Sequence, residues 1–485
     1  MDIKNNYQVK LDLALDKFKK TRYSEALIDF KNLSKKLNHF LVYWYLGHTA
    51  NKLNDYKSAI NFVLKSINLK SKDAINLNFL GELYRQTNQN NQAIETFEEG
   101  LKIDPNNQTI LKNLASIYVD MGKFIKAISI YEELLKIEST DYQSIYQLIK
   151  LDKRYLTIEL EKKTNILIKN NYLNDTDLQF ANFVLAEFAK EKKNYTSEVL
   201  KLLNGHSLFL ANKKKASDEE YNYFTNLLPE FIKKIKKDKF TLNTEATPIF
   251  IMGLPRSGTT LVENIILSGN KDYASGEETG VMGKVFFRNQ IIQDYASQKL
   301  ISKFEHQEKD YYLLRDEISK QYDQIGVDIY NKNFTDKSLE NLLYIDLIHK
   351  IFPKARFIYC KRNSNANFIG ILKVFLPNLL WTHSQEKILK FFNIYEEKLK
   401  EVLNEKKIKI KIIEIEQLTS DPENISKDLF DFLNFSWSPD CLHLDTSENK
   451  IIKTVSNTQV RGKIKSHNLE YLNNYNFFLK KNNLI

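Results

Sequence analysis

Apolar residues in the first half of the chain recur at three- and four-residue intervals between short polar turns, the spacing of helices that bury one face. This half realigns with itself about every 34 residues: Gly47, Gly81 and Ala115 coincide, as do Ala59, Ala93 and Ala127. The fullest copy, FLGELYRQTNQNNQAIETFEEGLKIDPNN, carries Gly81, Tyr84, Ala93, Phe97 and Pro105. A helical hairpin needs small residues where its helices cross closely, aromatic ones beside the crossing, and a proline past the end. Residues 6–141 therefore predict four hairpins, the weakest around Ala26. Further hairpins such as NFVLAEFAKEKKNYTSEVLKLLN follow to about residue 235. The stretch FIKKIKKDKFTLNTEATP then passes from basic helix to turn-prone chain, a boundary near residue 240. Beyond it PIFIMG predicts a short buried strand, and LPRSGTTLVENIILSGN a turn opening into an amphipathic helix.

Composition sharpens this picture in three places. Only 14 Gly and 8 Pro interrupt 485 residues, as expected of a largely helical chain, and the length calls for more than one core. The net charge of +10 is spread along the sequence without a basic stripe, which argues against a nucleic-acid partner and leaves an anionic small ligand compatible. Cys360 and Cys441 are too few for a disulfide framework or a zinc site. With no signal-like N-terminus and no apolar run near the roughly 20 residues of a membrane span, a soluble cytoplasmic protein is expected.

The chemistry concentrates after PIFIMG. Strand, Gly-containing loop and helix make a phosphate cradle, because glycines let backbone amides converge on an anion and the helix start adds partial positive charge. A nucleotide-hydrolysing loop would read GxxxxGK[ST]; Thr259 stands at the Lys position, so triphosphate hydrolysis is not expected, and Arg256 supplies a cation instead. No His or Cys cluster suggests a metal.

The 34-residue period is that of tetratricopeptide repeats, and PRSGTT resembles the 5′-phosphosulfate loop of PAPS-dependent sulfotransferases, in particular bacterial repeat-fused members and tyrosylprotein sulfotransferases. The resemblance implies that Pro255, Arg256, Ser257, Gly258, Thr259 and Thr260 wrap the donor's 5′-phosphosulfate. YASGEETGVM resembles a segment in which a Glu takes the acceptor's proton; Glu278 matches that base, with Glu277 as its alternative. In FTDKSLENLLYIDLIHKIFPKARFIYCKRN, Lys337 matches the Lys that stabilises the transferring group, and Arg362 the Arg that grips the donor's 3′-phosphate. IIKTVSNTQVRGKIKS resembles a C-terminal block in which Ser456 bonds the transferring group, Gln459 and Arg461 coincide with the pattern, and Arg461 and Lys463 close over the nucleotide. Three positions depart from it. Gly370 replaces a phosphate-binding Ser, with Lys373 one turn on as a compensating cation; Asn363 and Ser364 replace Asp-Pro; and Ile415 replaces a Tyr that frames the nucleotide.

The expected fold is thus multidomain: an all-α tetratricopeptide solenoid over 1–141, further hairpins over 142–240, and an α/β P-loop domain with a mostly parallel sheet over 241–485. The implied activity is sulfuryl transfer from PAPS, with PAP as product and no metal, to a peptide tyrosine or a glycan hydroxyl. The repeats would bind a peptide or protein, without nucleic acid or membrane. The alternative is a repeat-based scaffold protein whose P-loop domain retains anion binding without turnover.

Overall fold

In a computed structural model, residues 2–70, 72–286, 306–330, 333–444, 453, 464 and 468–481 are described. The chain divides into two compact units. The first comprises Met1–Val119, Ile125–Ile137 and Lys320–Val327; the second holds Asp120–Phe124, Glu138–Ser319 and Asp328–Ile485.

The first unit is built of helices α1 (Asp2–Lys19), α2 (Tyr23–Ser34), α3 (Phe40–Lys52), α4 (Tyr56–Leu69), α5 (Ala74–Gln86), α6 (Asn90–Ile103), α7 (Gln108–Asp120) and α8 (Phe124–Ile137). From α3 onward the period is strict: the helix starts Phe40, Ala74 and Gln108, and the starts Tyr56, Asn90 and Phe124, each advance by 34 residues. The turns inside the hairpins repeat as well, with Asn54, Asn88 and Gly122 all in the left-handed region at φ 57°, 62° and 75°. Asn and Gly are the residues that tolerate that conformation best. The alanines of the period, Ala59, Ala93 and Ala127, have no exposed surface. Residues 320–327 complete this unit: the Lys57 amide donates to Gln324 Oε1 at 2.8 Å, the Lys57 ammonium pairs with Asp323 at 2.6 Å, and Asn88 Nδ2 donates to the Ile325 carbonyl.

The close crossing at Gly81 is testable. A Cβ there would lie 2.5 Å from Cε1 of Phe97, a ring with no exposed surface. Gly81→Ala should lower the urea midpoint by the equivalent of about 1–3 kcal/mol, outweighing the helix-propensity gain of about 1 kcal/mol. Phe97→Leu in the same chain should recover part of that loss, and an unshifted midpoint would mean that the ring moves aside.

The second unit opens with helices α9 (Tyr142–Leu151), α10 (Ile158–Lys169), α11 (Asp175–Glu191), α12 (Tyr195–Ala211), α13 (Lys214–Asn222) and α14 (Leu228–Ile235), with a π-turn over Tyr223–Leu227. Its sheet consists of β1 (Ile249–Met252), β2 (Tyr273–Ser275), β3 (Asn333–Asp336), β4 (Arg356–Lys361) and β5 (Ile410–Glu414). Every pairing is parallel, in the order β2-β3-β1-β4-β5. Central β1 reads IFIM and is buried throughout, as a strand covered on both faces must be. One face packs Ile249, Ile251, Ile358 and Ile413 against Val262, Ile266 and Leu429; on the other, Phe250 stacks on Phe357 at 5.8 Å. Because the strands run parallel, the segments that follow β1, β2, β3, β4 and β5 leave from one edge. The chain order reverses at β1, which places a ligand crevice there. Among the described residues no helix is long and apolar enough to cross a membrane.

Candidate active site

The loop after β1 is shaped by three backbone positions. Gly253 sits at φ 155°, and a Cβ there would meet Ser257 Oγ at 2.4 Å and the Cys360 carbonyl at 2.6 Å. Gly258 sits at φ 87°, where a Cβ would strike Ile415 Cδ1 at 2.6 Å; Ile415 thus walls the loop from the end of β5. Arg256 adopts φ 68°, unusual for a residue with a side chain. The loop's outward carbonyls are tied down: Asn367 Nδ2 donates to Pro255 at 2.6 Å, and Arg362 Nη1 to Arg256 at 2.7 Å. Helix α15 (Thr259–Gly269) follows, with Thr259 and Thr260 buried in its first turn, where amides lack intrahelical acceptors. Ser257 Oγ is buried with no hydrogen-bond partner among the described residues. A buried, unsatisfied hydroxyl in a loop of turned amides suits an anion acceptor. Burial, with Arg362 nearby, lowers the Arg256 pKa to about 10 against the pull of Glu278, so the guanidinium stays charged at neutral pH.

Lys337 follows β3 directly. Its ammonium meets Glu263 of α15 at 2.6 Å, and both side chains are almost fully buried. Burial acts to discharge Lys337, but Glu263, Glu278 and Glu277 together hold its pKa above the usual lysine value. Glu263 also accepts from Ser275 Oγ at 3.1 Å and Thr335 Oγ1 at 2.7 Å, tying the loop helix to β2 and β3. Nothing in the sequence marked Glu263 except that it is an acid on the buried side of LVENIIL.

The two glutamates after β2 differ. Glu277 is pinned: at φ 56°, its amide donates to Ser275 Oγ, its carbonyl accepts from the Lys337 amide at 3.1 Å, and its carboxylate lies 3.7 Å from the Lys453 ammonium. Glu278 instead lines a cavity of about 720 Å3 and has no hydrogen-bond partner among the described residues. Its side chain is exposed on the cavity wall, yet protein crowds it from behind; that surrounding protein, with Glu340, Glu263 and Asp336, pushes its pKa up to about 7 against the opposing pull of Lys337.

The remaining sequence candidates fall into three groups. Arg362 and Gly370 adjoin the loop, since a Cβ on Gly370 would lie 3.4 Å from Arg256 Cβ and 3.5 Å from Arg362 Nη1. Asn363 caps the helix Ser364–Leu372 by accepting from the Ala366 amide, which gives its departure from the pattern a local role. Lys373 is engaged elsewhere, donating to the Tyr475 hydroxyl at 2.6 Å and pairing with Glu198 at 3.4 Å. Ser456, Gln459, Arg461 and Lys463 lie outside the described residues. Also lining the cavity, and missed from sequence, are Glu220, Tyr223, Glu340 and Tyr344. No group of three or more His, Cys, Asp or Glu placed to hold a metal occurs among the described residues.

Comparison with known proteins bears on this geometry. Residues 248–439 match the sulfotransferase family. A sulfotransferase-family domain therefore occupies that stretch, following an array of tetratricopeptide type. Residues 24–153 match the CABIN1 N-terminal domain. An uncharacterized protein of Aquifex aeolicus is 23% identical over 360 residues, covering 69% of this chain and 45% of its own length. Protein-tyrosine sulfotransferase 1 of Danio rerio is 28% identical over 213 residues, 42% of this chain and 58% of that protein. The chain spans about half the length of these curated relatives. Among solved structures, the sulfotransferase domain of the Synechococcus PCC 7002 olefin synthase aligns over 46% of this chain and 86% of that domain, at 17% identity and TM-score 0.32.

Proposed function

We propose that the sulfotransferase-family domain transfers a sulfuryl group from PAPS to a hydroxyl acceptor, a peptide tyrosine or a sugar hydroxyl, in the cytoplasm. The observation that carries this reading is the convergence of one glutamate and two buried cations on the loop after β1: Glu278 interacts electrostatically with both Arg256 and Lys337, and Lys337 is anchored on the loop helix through Glu263. The loop from Pro255 to Thr260 fits the donor's 5′ end, because it offers an unsatisfied Ser257 hydroxyl, a charged Arg256 and a helix start. Arg362 and Gly370 beside it would face the 3′-phosphate, and Ser456, Gln459, Arg461 and Lys463 complete the proposed set.

In this mechanism Glu278 accepts the acceptor's proton as its oxygen attacks sulfur, and Lys337 neutralises charge growing on the sulfuryl group and the bridging oxygen. Residues 1–141 would recruit a peptide or protein partner, residues 142–240 join the array to the enzyme in sequence, and residues 241–485 hold donor and acceptor.

A second reading has one observation in its favour: Gly370 offers no hydroxyl, and Lys373 is held by Glu198 and Tyr475, which leaves the 3′-phosphate fewer partners. On that reading the chain binds PAP without turnover. Thermal shift with PAP, followed by transfer from labelled PAPS to tyrosine peptides and glycans, separates the two. Arg256→Ala should weaken PAP binding by at least about tenfold, the loss expected for a charged phosphate contact. Equal PAP affinity in variant and parent would overturn the assignment of the loop.

A further inference from the structure

The cavity beside Glu278 has an uneven lining. Tyr223, Phe224 and Tyr344 present buried aromatic surface, and the two tyrosine hydroxyls meet at 2.5 Å. Glu219, Glu220, Glu278 and Glu340 supply four carboxylates against the one ammonium of Lys284. Glu220 is occupied structurally, accepting from the amides of Trp381 at 2.8 Å and Leu380 at 3.3 Å. Glu340 is placed differently. Its Oε2 stands beside Gly280 and Gly283, 3.9 and 3.5 Å from where their Cβ atoms would lie, at van der Waals distance from that short turn. Among the described residues it has no hydrogen-bond partner.

Carboxylates this close destabilise one another's charge. Burial first, then neighbouring acids, raises Glu220, Glu278 and Glu340 each to about 7. A chain that needed only one proton acceptor here would gain nothing from Glu340, whose charge burdens that acceptor. An incoming cation would turn the burden into attraction, and the ring faces would suit a flat body attached to it.

We propose that the acceptor is a phenol carrying a positively charged nitrogen: its ring lies against Tyr223, Phe224 and Tyr344, its nitrogen meets Glu340 and Glu219, and its hydroxyl faces Glu278. This rests on the sulfotransfer reading above. In the reaction the phenol oxygen forms a bond to sulfur, the bond from sulfur to the donor's bridging oxygen breaks, and the phenol proton passes to Glu278. An aryl sulfate and PAP leave.

The test uses the full chain and three probes of like size: tyramine (cationic), 4-ethylphenol (neutral) and 4-hydroxyphenylacetate (anionic). Calorimetry at pH 8 should find tyramine bound at least about tenfold more tightly than 4-ethylphenol, with the anion weakest, a difference of the size of one charged contact. Glu340→Gln should remove most of that preference while the 4-ethylphenol affinity holds; Glu219→Gln serves the same purpose should the first variant fold poorly. Equal or tighter binding of 4-ethylphenol or 4-hydroxyphenylacetate, or no binding of any phenol, overturns the proposal. Turnover with labelled PAPS then separates the two layers. Selective tyramine binding without sulfation upholds the cation pocket and sinks the sulfotransfer reading. Sulfation of all three probes with equal kcat/KM upholds sulfotransfer and sinks the cation pocket.

Discussion

Lys337→Met should lower turnover about 10²–10³-fold, the scale of losing one preplaced group that stabilises transition-state charge. The same change should also loosen the fold, for a reason that separates the two roles. Lys337 and Glu263 are buried together at 2.6 Å, and removing one partner leaves the other as an uncompensated interior charge. That typically costs about 3–5 kcal/mol. Adding Glu263→Gln removes the stranded charge, so the double variant should recover most of the stability, read as the urea midpoint, while single-turnover transfer from labelled PAPS stays as low as in Lys337→Met. A double variant that regained its turnover would show Lys337 to be a structural lysine.

Glu278→Gln should reduce turnover at least roughly a hundredfold and leave PAP affinity unchanged, as loss of a general base does. The pH profile gives a second readout. A base must be deprotonated to act, and the Glu278 pKa is raised to about 7, so kcat/KM of the parent should climb with pH and level off above neutrality. Glu340 contributes to that rise as a like charge. Glu340→Gln should therefore lower the Glu278 pKa and move the rising limb to lower pH, whereas Glu278→Gln should flatten it. Full activity in Glu278→Gln would transfer the role to Glu277, against the bonds that hold Glu277 to Ser275, Lys337 and Lys453.

The parts of this molecule that could be read in advance are those whose signals are local. The small residues of each hairpin recur in the sequence as they recur in space, and the strand, loop and helix of PIFIMGLPRSGTTLVENIIL lie within one short stretch, each with its own composition. What stayed hidden depends on pairing across the chain. Lys337 could be singled out by its neighbours in sequence, but its partner Glu263 follows from β1 and β3 lying side by side, with Ile249 opposite Thr335. The Tyr223 and Tyr344 hydroxyls come from segments 121 residues apart, and no pattern in either segment announces the other. No local pattern assigns residues 320–327 to the first unit, and only the bonds of Lys57 and Asn88 show them to belong there. Lys373 is the converse case. A cation one helical turn from Gly370 was the natural candidate to compensate for it, yet Glu198 and Tyr475 already engage that ammonium.

Arg256 stands at φ 68°, a conformation that glycine adopts freely and that a residue with a Cβ holds at a cost of about 1 kcal/mol or more. The loop therefore keeps a strained arginine where the most relaxed sequence would have none. Selection for robustness alone would drift towards Arg256→Gly, gaining melting temperature as it discards the cation. Screens for hardier variants of this protein would then enrich molecules that fold better and do less, and position 256 is the first place to look for that exchange.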